Sequence, residues 1–334
     1  MNTKDNGINT KDESNVQSGR IFPVTGSQNS QDLIHQIMRC LEGKGAWPEG
    51  KEIFYGEETK WDDLSRDSPQ TNGEFSVLSV NYGRLRSALE CIDWIVEFGV
   101  GDSTGVDSKA GRILEEIPEK PRAYIGVDRN KRFVEQHIGI LQRKFPRVVC
   151  LGIVGEFDDA YNLLVEISGH SNLSNGCLLS FGSTLSNCSP EKLIDTLRQW
   201  SRIFPNMILG QDSNTDEKSV REAYTNHAFN AFLYAGLRQV NKLLSKTVFV
   251  KGFRTNSHTC QGPPFTVQIA ITAPDGVSEY FKDGREIIVF TAYKYKQKDF
   301  IALVKEANKT ASITTLSHTL TESRMYSDIE LELG

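Results

Sequence analysis

The chain has 334 residues, 38% of them hydrophobic and 24% charged, enough for one large domain or two closely associated ones with an ample core. Its net charge of −5 comes without any lysine or arginine run, which argues against a nucleic-acid partner. Six widely spaced cysteines with no Cys-x-x-Cys (Cys40, Cys91, Cys150, Cys177, Cys188, Cys260) predict reduced thiols rather than disulfides or a metal site. Without a signal-peptide pattern or an apolar run of bilayer length, no membrane is expected, and the default expectation is a soluble, cytoplasmic protein.

Residues 1–20 are polar and nearly free of large apolar side chains, which predicts a disordered tail. Leu33, Ile34, Ile37, Met38 and Leu41 recur at helical spacing, so a helix is expected over 31–41. The stretch 53–72 is rich in turn formers and charge, with Phe54, Tyr55 and Trp61 embedded in it, and a second helix is expected over 77–90. Strand-like runs at 94–98, 123–127, 148–153, 177–181 and 207–209 then alternate with helical patterns at 111–117, 131–144, 158–167 and 190–201. That alternation predicts a parallel sheet with helices on both faces. Ligands of such sheets bind outside the carboxyl ends of the strands, in the loops after Phe98, Val127, Ile153 and Phe181. Beyond Asp212 the rhythm changes to a long helix over 219–244, a Gly/Pro-marked segment and β-like stretches at 265–272, 286–293 and 312–318. This reads as a second, mixed lobe inserted before the end of the sheet.

The first strand runs Ile95-Val96-Glu97-Phe98-Gly99-Val100-Gly101, followed by Asp102-Ser103-Thr104. Glycines at a strand-to-helix turn let a ligand lie against bare backbone and reach free N–H groups. A nicotinamide dinucleotide site would want a third glycine where Thr104 stands, and Glu97 suits a cationic ligand such as the methionine part of S-adenosylmethionine. After the second strand, Asp128 can accept from both hydroxyls of a ribose, or else cap the following helix. After the third, Glu156 can take an adenine amino group with Phe157 against the ring, or else start a solvated acidic helix. After the fourth, Asn187 can both donate and accept, which suits a zwitterionic amino acid; it can equally hold its own loop. Ser189-Pro190 reads as a helix cap with proline at the first position.

In order along the chain, Phe54-Tyr55-Gly56, Val96-Glu97-Phe98-Gly99-Val100-Gly101, Val127-Asp128, Gly155-Glu156-Phe157-Asp158-Asp159, Phe181-Gly182-Ser183-Thr184-Leu185-Ser186-Asn187, Glu222-Ala223-Tyr224 and Tyr293-Lys294-Tyr295 resemble the histidine-specific methyltransferases of the ergothioneine pathway. They look most like its fungal members, the dimethylallyltryptophan N-methyltransferases of ergot alkaloid synthesis. The resemblance implies an α/β fold, a Rossmann-like class I methyltransferase domain (81–213 plus 296–334) with a second α+β substrate-binding lobe (21–80 plus 214–295). It implies methyl transfer from S-adenosylmethionine to the α-amine of an amino acid, leaving S-adenosylhomocysteine. By position Glu97, Gly99, Gly101, Asp128, Glu156, Phe157 and Ser183 would hold the cofactor, together with Tyr55 near the transfer centre. Asn187 and Tyr224 would hold the amine and carboxylate of the substrate, and Tyr55 and Asn187 would be the catalytic pair.

The departures point to the substrate. The family's late strand grips imidazole with a glutamate and a serine, and here those places read Phe290 and Ala292. A polar ring would be buried there without its partners, so histidine is disfavoured and tryptophan or a prenylated tryptophan fits better. A tyrosine pair near the second helix reads Phe75-Ser76, which would open room for the larger side chain. Three alternatives stay open: a histidine Nα-methyltransferase of ergothioneine biosynthesis, a nicotinamide-dependent oxidoreductase, and a catalytically dead relative acting as a partner protein. A monomer or a homodimer is expected, with no partner beyond the small-molecule amino acid.

Overall fold

The alternating runs fold into one eight-stranded sheet. The computed structural model describes residues 19–24, 30–48, 52–55, 59–66, 68–101, 109–117, 119–171, 175–250, 252–272, 285–320 and 324–333. The expected tail, but for its last two residues, therefore lies outside the described residues, as do Thr104 and Gly56. The strands of the sheet are β1 (Ile21–Pro23), β2 (Trp94–Phe98), β3 (Ala123–Asp128), β4 (Val149–Val154), β5 (Gly176–Ser180), β6 (Asn206–Asp212), β10 (Ala311–Leu320) and β11 (Arg324–Leu333). They lie in the order β1-β4-β3-β2-β5-β6-β11-β10. The first six run parallel, and β11 is antiparallel to both its neighbours. From β2 the chain moves outward through β3 and β4, and from β5 it moves the other way to β6, so the order reverses between β2 and β5. A crevice opens at such a reversal, outside the carboxyl ends of the strands.

Side chains alternate across β2: Ile95 enters the core on one face, Val96 and Phe98 the core on the other. Helices α1 (Ser30–Leu41) and α2 (Trp61–Ser65) belong to the second lobe. Helices α3 (Pro69–Ala88), α4 (Gly111–Glu116) and α5 (Lys131–Lys144) cover the Ile95 face. Helices α6 (Phe157–Ser171), α7 (Pro190–Trp200) and α10 (Gln297–Ala307) cover the other. Ser189 caps α7 with Pro190 at its first position, as expected. The cap of α5 is Asn130, whose side chain accepts from the Phe133 N–H, which leaves Asp128 available for another task.

The second lobe comprises α8 (Glu217–Ala223), α9 (His227–Leu244) and an antiparallel sheet of β7 (Arg254–Cys260), β8 (Phe265–Thr272) and β9 (Ile287–Lys294), joined by α1, α2 and a short 3-10 helix at Glu52–Tyr55. Its core gathers Ile37, Phe54, Phe232, Leu233, Val267, Val289 and Phe290 from all these pieces. Phe54 lies against Gly236 of α9, where any side chain would collide with its ring.

The observed elements differ in places from the expected ones. The helix expected over 219–244 is two helices, because Asn226 caps α9 and breaks the run. Residues 21–23 and 69–80 belong with the main sheet: β1 pairs with β4, and Val77 and Leu78 of α3 join the core beneath β2. Strand β7 was not expected, since its alternation of exposed and half-buried polar residues carries no apolar signal. Strand β11, in which Asp328, Glu330 and Glu332 alternate with Ile329, Leu331 and Leu333, was not expected either. No helix of the described residues is long and apolar enough to cross a membrane. None of the six cysteines forms a disulfide among the described residues.

Candidate active site

A cavity of about 1090 Å³ opens between the lobes at the β2/β5 reversal. Its wall includes Tyr55, Glu97, Gly99, Gly101, Asp128, Glu156, Phe157, Ser183, Asn187, Tyr224 and Phe290, so the strand ends and the distant segments converge on one space.

On the sheet side the turn after β2 is left-handed at Gly99 (φ 71°) and Gly101 (φ 63°). A Cβ on Gly99 would come within 2.7 Å of Thr184 Oγ1, so both backbone and neighbour require glycine there. Asp128 ties the turn to β3: its Oδ2 accepts from Gly101 N–H at 3.3 Å and its Oδ1 from Asn130 N–H at 2.8 Å. Burial raises its carboxyl above the ordinary value. Beside it, Glu97 is 2% exposed and accepts from the Tyr124 hydroxyl at 2.5 Å, which lies 2.9 Å from His137 Nε2. Burial pushes the Glu97 carboxyl up to about 7, with the Tyr124 hydroxyl opposing, and pushes His137 down to about 3. A neutral His137 therefore donates from Nε2 to Tyr124, which donates to Glu97 and leaves that carboxylate an acceptor toward the cavity.

Phe157 stacks one face on Phe98, centroids 4.5 Å apart and planes within 8°. Glu156 forms an ion pair with Arg129 rather than standing as a solvated acid. The loop after β5 is left-handed at Gly182 and Ser183, and the Ser183 hydroxyl accepts from Asp212 N–H at 2.8 Å and Gln70 Nε2 at 3.1 Å. A Cβ on Gly182 would meet nothing within 4 Å. Bare backbone facing open space, with an acceptor carboxylate at each of two strand ends, fits a nucleoside carrying a cationic amino-acid arm.

The facing wall is aromatic. Tyr55 lies between Trp61 and Phe232, with centroids at 5.3 and 5.4 Å. Phe290 meets Phe54 at 5.7 Å, Phe229 at 5.4 Å and Tyr224 at 6.2 Å. Asn187 spans the seam between the lobes, its Oδ1 accepting from Tyr293 N–H at 2.9 Å. Lys294 and Asp212 form a buried ion pair across the same seam.

Two expected features stand elsewhere. Ala292 is wholly buried in the core of the second lobe, and its methyl does not reach the cavity wall. Phe75 and Ser76 also miss the cavity: Phe75 is 41% exposed and Ser76 bonds Asn72 O within its own helix. The first turn of α3, with Gln70 and Thr71, lines the cavity instead.

Three residues in the wall or behind it were not expected from the sequence: Asp212 lines the cavity, while Glu74 and His137 support it from behind. Asp212 ends β6 and would have followed from extending the carboxyl-end rule by one strand. Glu74 accepts from Gly182 N–H and pairs with Lys109 at 2.5 Å, a union of three distant segments that no spacing announces. His137 likewise sits in no motif.

The family described as histidine-specific, S-adenosylmethionine-dependent methyltransferase matches residues 68–318. A curated relative, N-methyltransferase fsqC of Aspergillus fumigatus, is 24% identical over 192 residues, 55% of this chain and 50% of that protein; the match thus spans about half the relative's length. Among solved structures, a Synechocystis magnesium protoporphyrin IX methyltransferase with bound S-adenosylhomocysteine aligns with TM-score 0.44 and 12% identity, covering 82% of this chain and 93% of that one. The O-methyltransferase TomG of Streptomyces achromogenes aligns with TM-score 0.39 and 8% identity over 85% and 91%. The family's cofactor removes the nicotinamide alternative. The turn at Gly99, the carboxylates of Glu97 and Asp128 and the matched span agree: the chain belongs to the histidine-specific, S-adenosylmethionine-dependent methyltransferases.

Proposed function

We propose that this chain methylates the α-amine of an aromatic amino acid, tryptophan or a prenylated tryptophan such as 4-dimethylallyltryptophan, in alkaloid biosynthesis. The observation that carries this reading is Phe290, a ring in the cavity wall packed among Phe54, Phe229 and Tyr224; the resemblance puts it where imidazole-binding relatives carry a glutamate. A neutral imidazole pressed against these rings would leave both its N–H and its acceptor nitrogen unpaired, at a cost of about 1–3 kcal/mol for each. An indole offers a large apolar body with a single N–H and tolerates that surface better. The name of the Aspergillus fumigatus relative, an N-methyltransferase, supports an amine as acceptor.

When bound, the cofactor supplies a methyl group on a sulfonium, electrophilic enough that the protein needs no strong base. The amine would have to arrive neutral, with its lone pair free to accept the methyl group, and the proton that the methylated ammonium then sheds needs a path out of the site. Orientation is the protein's task. Asp128 and the Gly99 turn hold the nucleoside, and Glu97 accepts from the cationic arm. Asn187, anchored to β9 by the Tyr293 N–H, steers the amine, and the Tyr55 hydroxyl passes its proton outward. The rings of Trp61, Phe229 and Phe232 exclude water from the reacting atoms.

A competition assay read by mass spectrometry tests this, with S-adenosylmethionine and a mixture of histidine, tryptophan, 4-dimethylallyltryptophan and other amino acids. Methyl mass gained on the indole substrates supports the reading. Methylated histidine would overturn it in favour of the second reading, histidine Nα-methylation, which the family description favours.

A further inference from the structure

Lys294 ends β9 in the cavity wall, and only 6% of it is exposed. Its ammonium pairs with Asp212 at the end of β6 and stands 5.6 Å from the centroid of the Tyr224 ring, and all three residues line the cavity. Desolvating two charges largely offsets their attraction, so stability is a weak reason for such a pair. Asp212 is itself fixed: Oδ1 accepts from Asn214 N–H at 3.0 Å, and its own N–H donates to Ser183 at 2.8 Å. The ammonium is thus held from the methyltransferase lobe and flanked by a ring of the second lobe.

An amino acid differs from its amine by a carboxylate, which cannot leave water cheaply without charged or N–H donors to meet it. The other cations in the wall lie on the cofactor side with their own acids: Lys109 with Glu74, Arg129 with Glu156, Lys192 with Asp158. Lys294 lies across from them, one residue from Tyr293, whose N–H holds Asn187. An ammonium has three donors, so the pair with Asp212 need not break for a second acceptor to bind.

We propose that Lys294, held by Asp212 and Tyr224, receives the α-carboxylate of the substrate and makes the enzyme select amino acids over the corresponding amines. This rests on the amino-acid reading above.

The test compares tryptophan as substrate with tryptamine as competitive inhibitor, in the wild type and in Lys294→Gln, with S-adenosylhomocysteine affinity by calorimetry as the check on folding. The wild type is expected to hold tryptamine at least about tenfold more weakly than tryptophan, and Lys294→Gln to bring the two within about threefold by weakening tryptophan. Lys294→Arg is expected to restore part of the preference. A preference that survives in Lys294→Gln, even with both ligands weakened, overturns the inference and leaves the function reading standing. A wild type that treats the two alike does the same. A wild type that binds S-adenosylhomocysteine yet methylates no amino acid overturns the function reading and the inference with it.

Discussion

The two walls of the cavity are built by different means. On the sheet side the groups are backbone N–H donors and carboxylates at the ends of β2 and β3, positioned by strand register and by two left-handed glycines. Opposite them stand rings from the 3-10 helix, α2, α9 and β9, positioned by packing against one another and against the aliphatic core of the second lobe. The first wall tolerates little change in backbone and much in neighbouring side chains; the second should behave the other way round. Changes on the first wall should therefore strike the cofactor, and changes on the second the amino acid.

The largest effect is expected from Gly99→Val. A β-branched residue at φ 71°, with its Cβ forced onto Thr184, stores about 2–3 kcal/mol of strain or displaces the turn. Cofactor binding should fall by about 30- to 150-fold, the equivalent of that strain, with a lowered Tm; titration calorimetry and a thermal melt read both. Binding within tenfold of the wild type would mean the turn is not the cofactor's seat.

Next comes Asp128→Ala, which removes an acceptor without crowding the turn. Cofactor affinity should drop about ten- to a hundredfold, with KM for the amino acid little changed. An unchanged cofactor affinity would sink the ribose assignment.

Glu97 sharpens the comparison through pH. Burial holds its carboxyl at about 7 against an ordinary 4.5, so between those values the folded chain keeps a proton that the unfolded chain has released. The stability of the free protein therefore falls as pH rises through that window and levels off above it. Lys109, Glu74 and Asp128 also act on this carboxyl, the first lowering its pKa and the other two raising it. A cationic ligand needs the carboxylate, so cofactor affinity should be weaker by about tenfold near pH 6 than above pH 7. Glu97→Gln should flatten that slope, and a slope that persists in the variant would assign it to another group.

The smallest effect belongs to the second wall. Tyr55→Phe keeps the ring contacts with Trp61 and Phe232 and removes only the hydroxyl. Turnover should fall about two- to tenfold with Tm unchanged. A loss of cofactor affinity as large as that of Asp128→Ala would erase the division between the walls.

Much of the sheet side is legible in the amino-acid sequence. Strands of unbroken apolar residues alternating with amphipathic helices announce a parallel sheet, and an acid or amide after such a strand stands at the ligand crevice. Asp128 illustrates the limit: ribose acceptor and helix cap look alike along the chain, and only the structure, in which Asn130 takes the cap, removes the second of these. The second wall is legible only by resemblance, and there position misleads. Ala292, which the resemblance puts at a substrate-binding place, lies outside the cavity wall, as do Phe75 and Ser76.

Local chemistry along the chain thus determined the parallel sheet, the glycine turn and the acids that end its strands, because register and backbone conformation depend on near neighbours. Tertiary structure alone decided the Glu97–Tyr124–His137 chain, the seating of Glu74 beneath Gly182 and the meeting of Lys294 with Asp212. Each joins residues far apart in sequence, and contacts of that kind follow no period: they exist only once two lobes have buried their cores and brought their edges together.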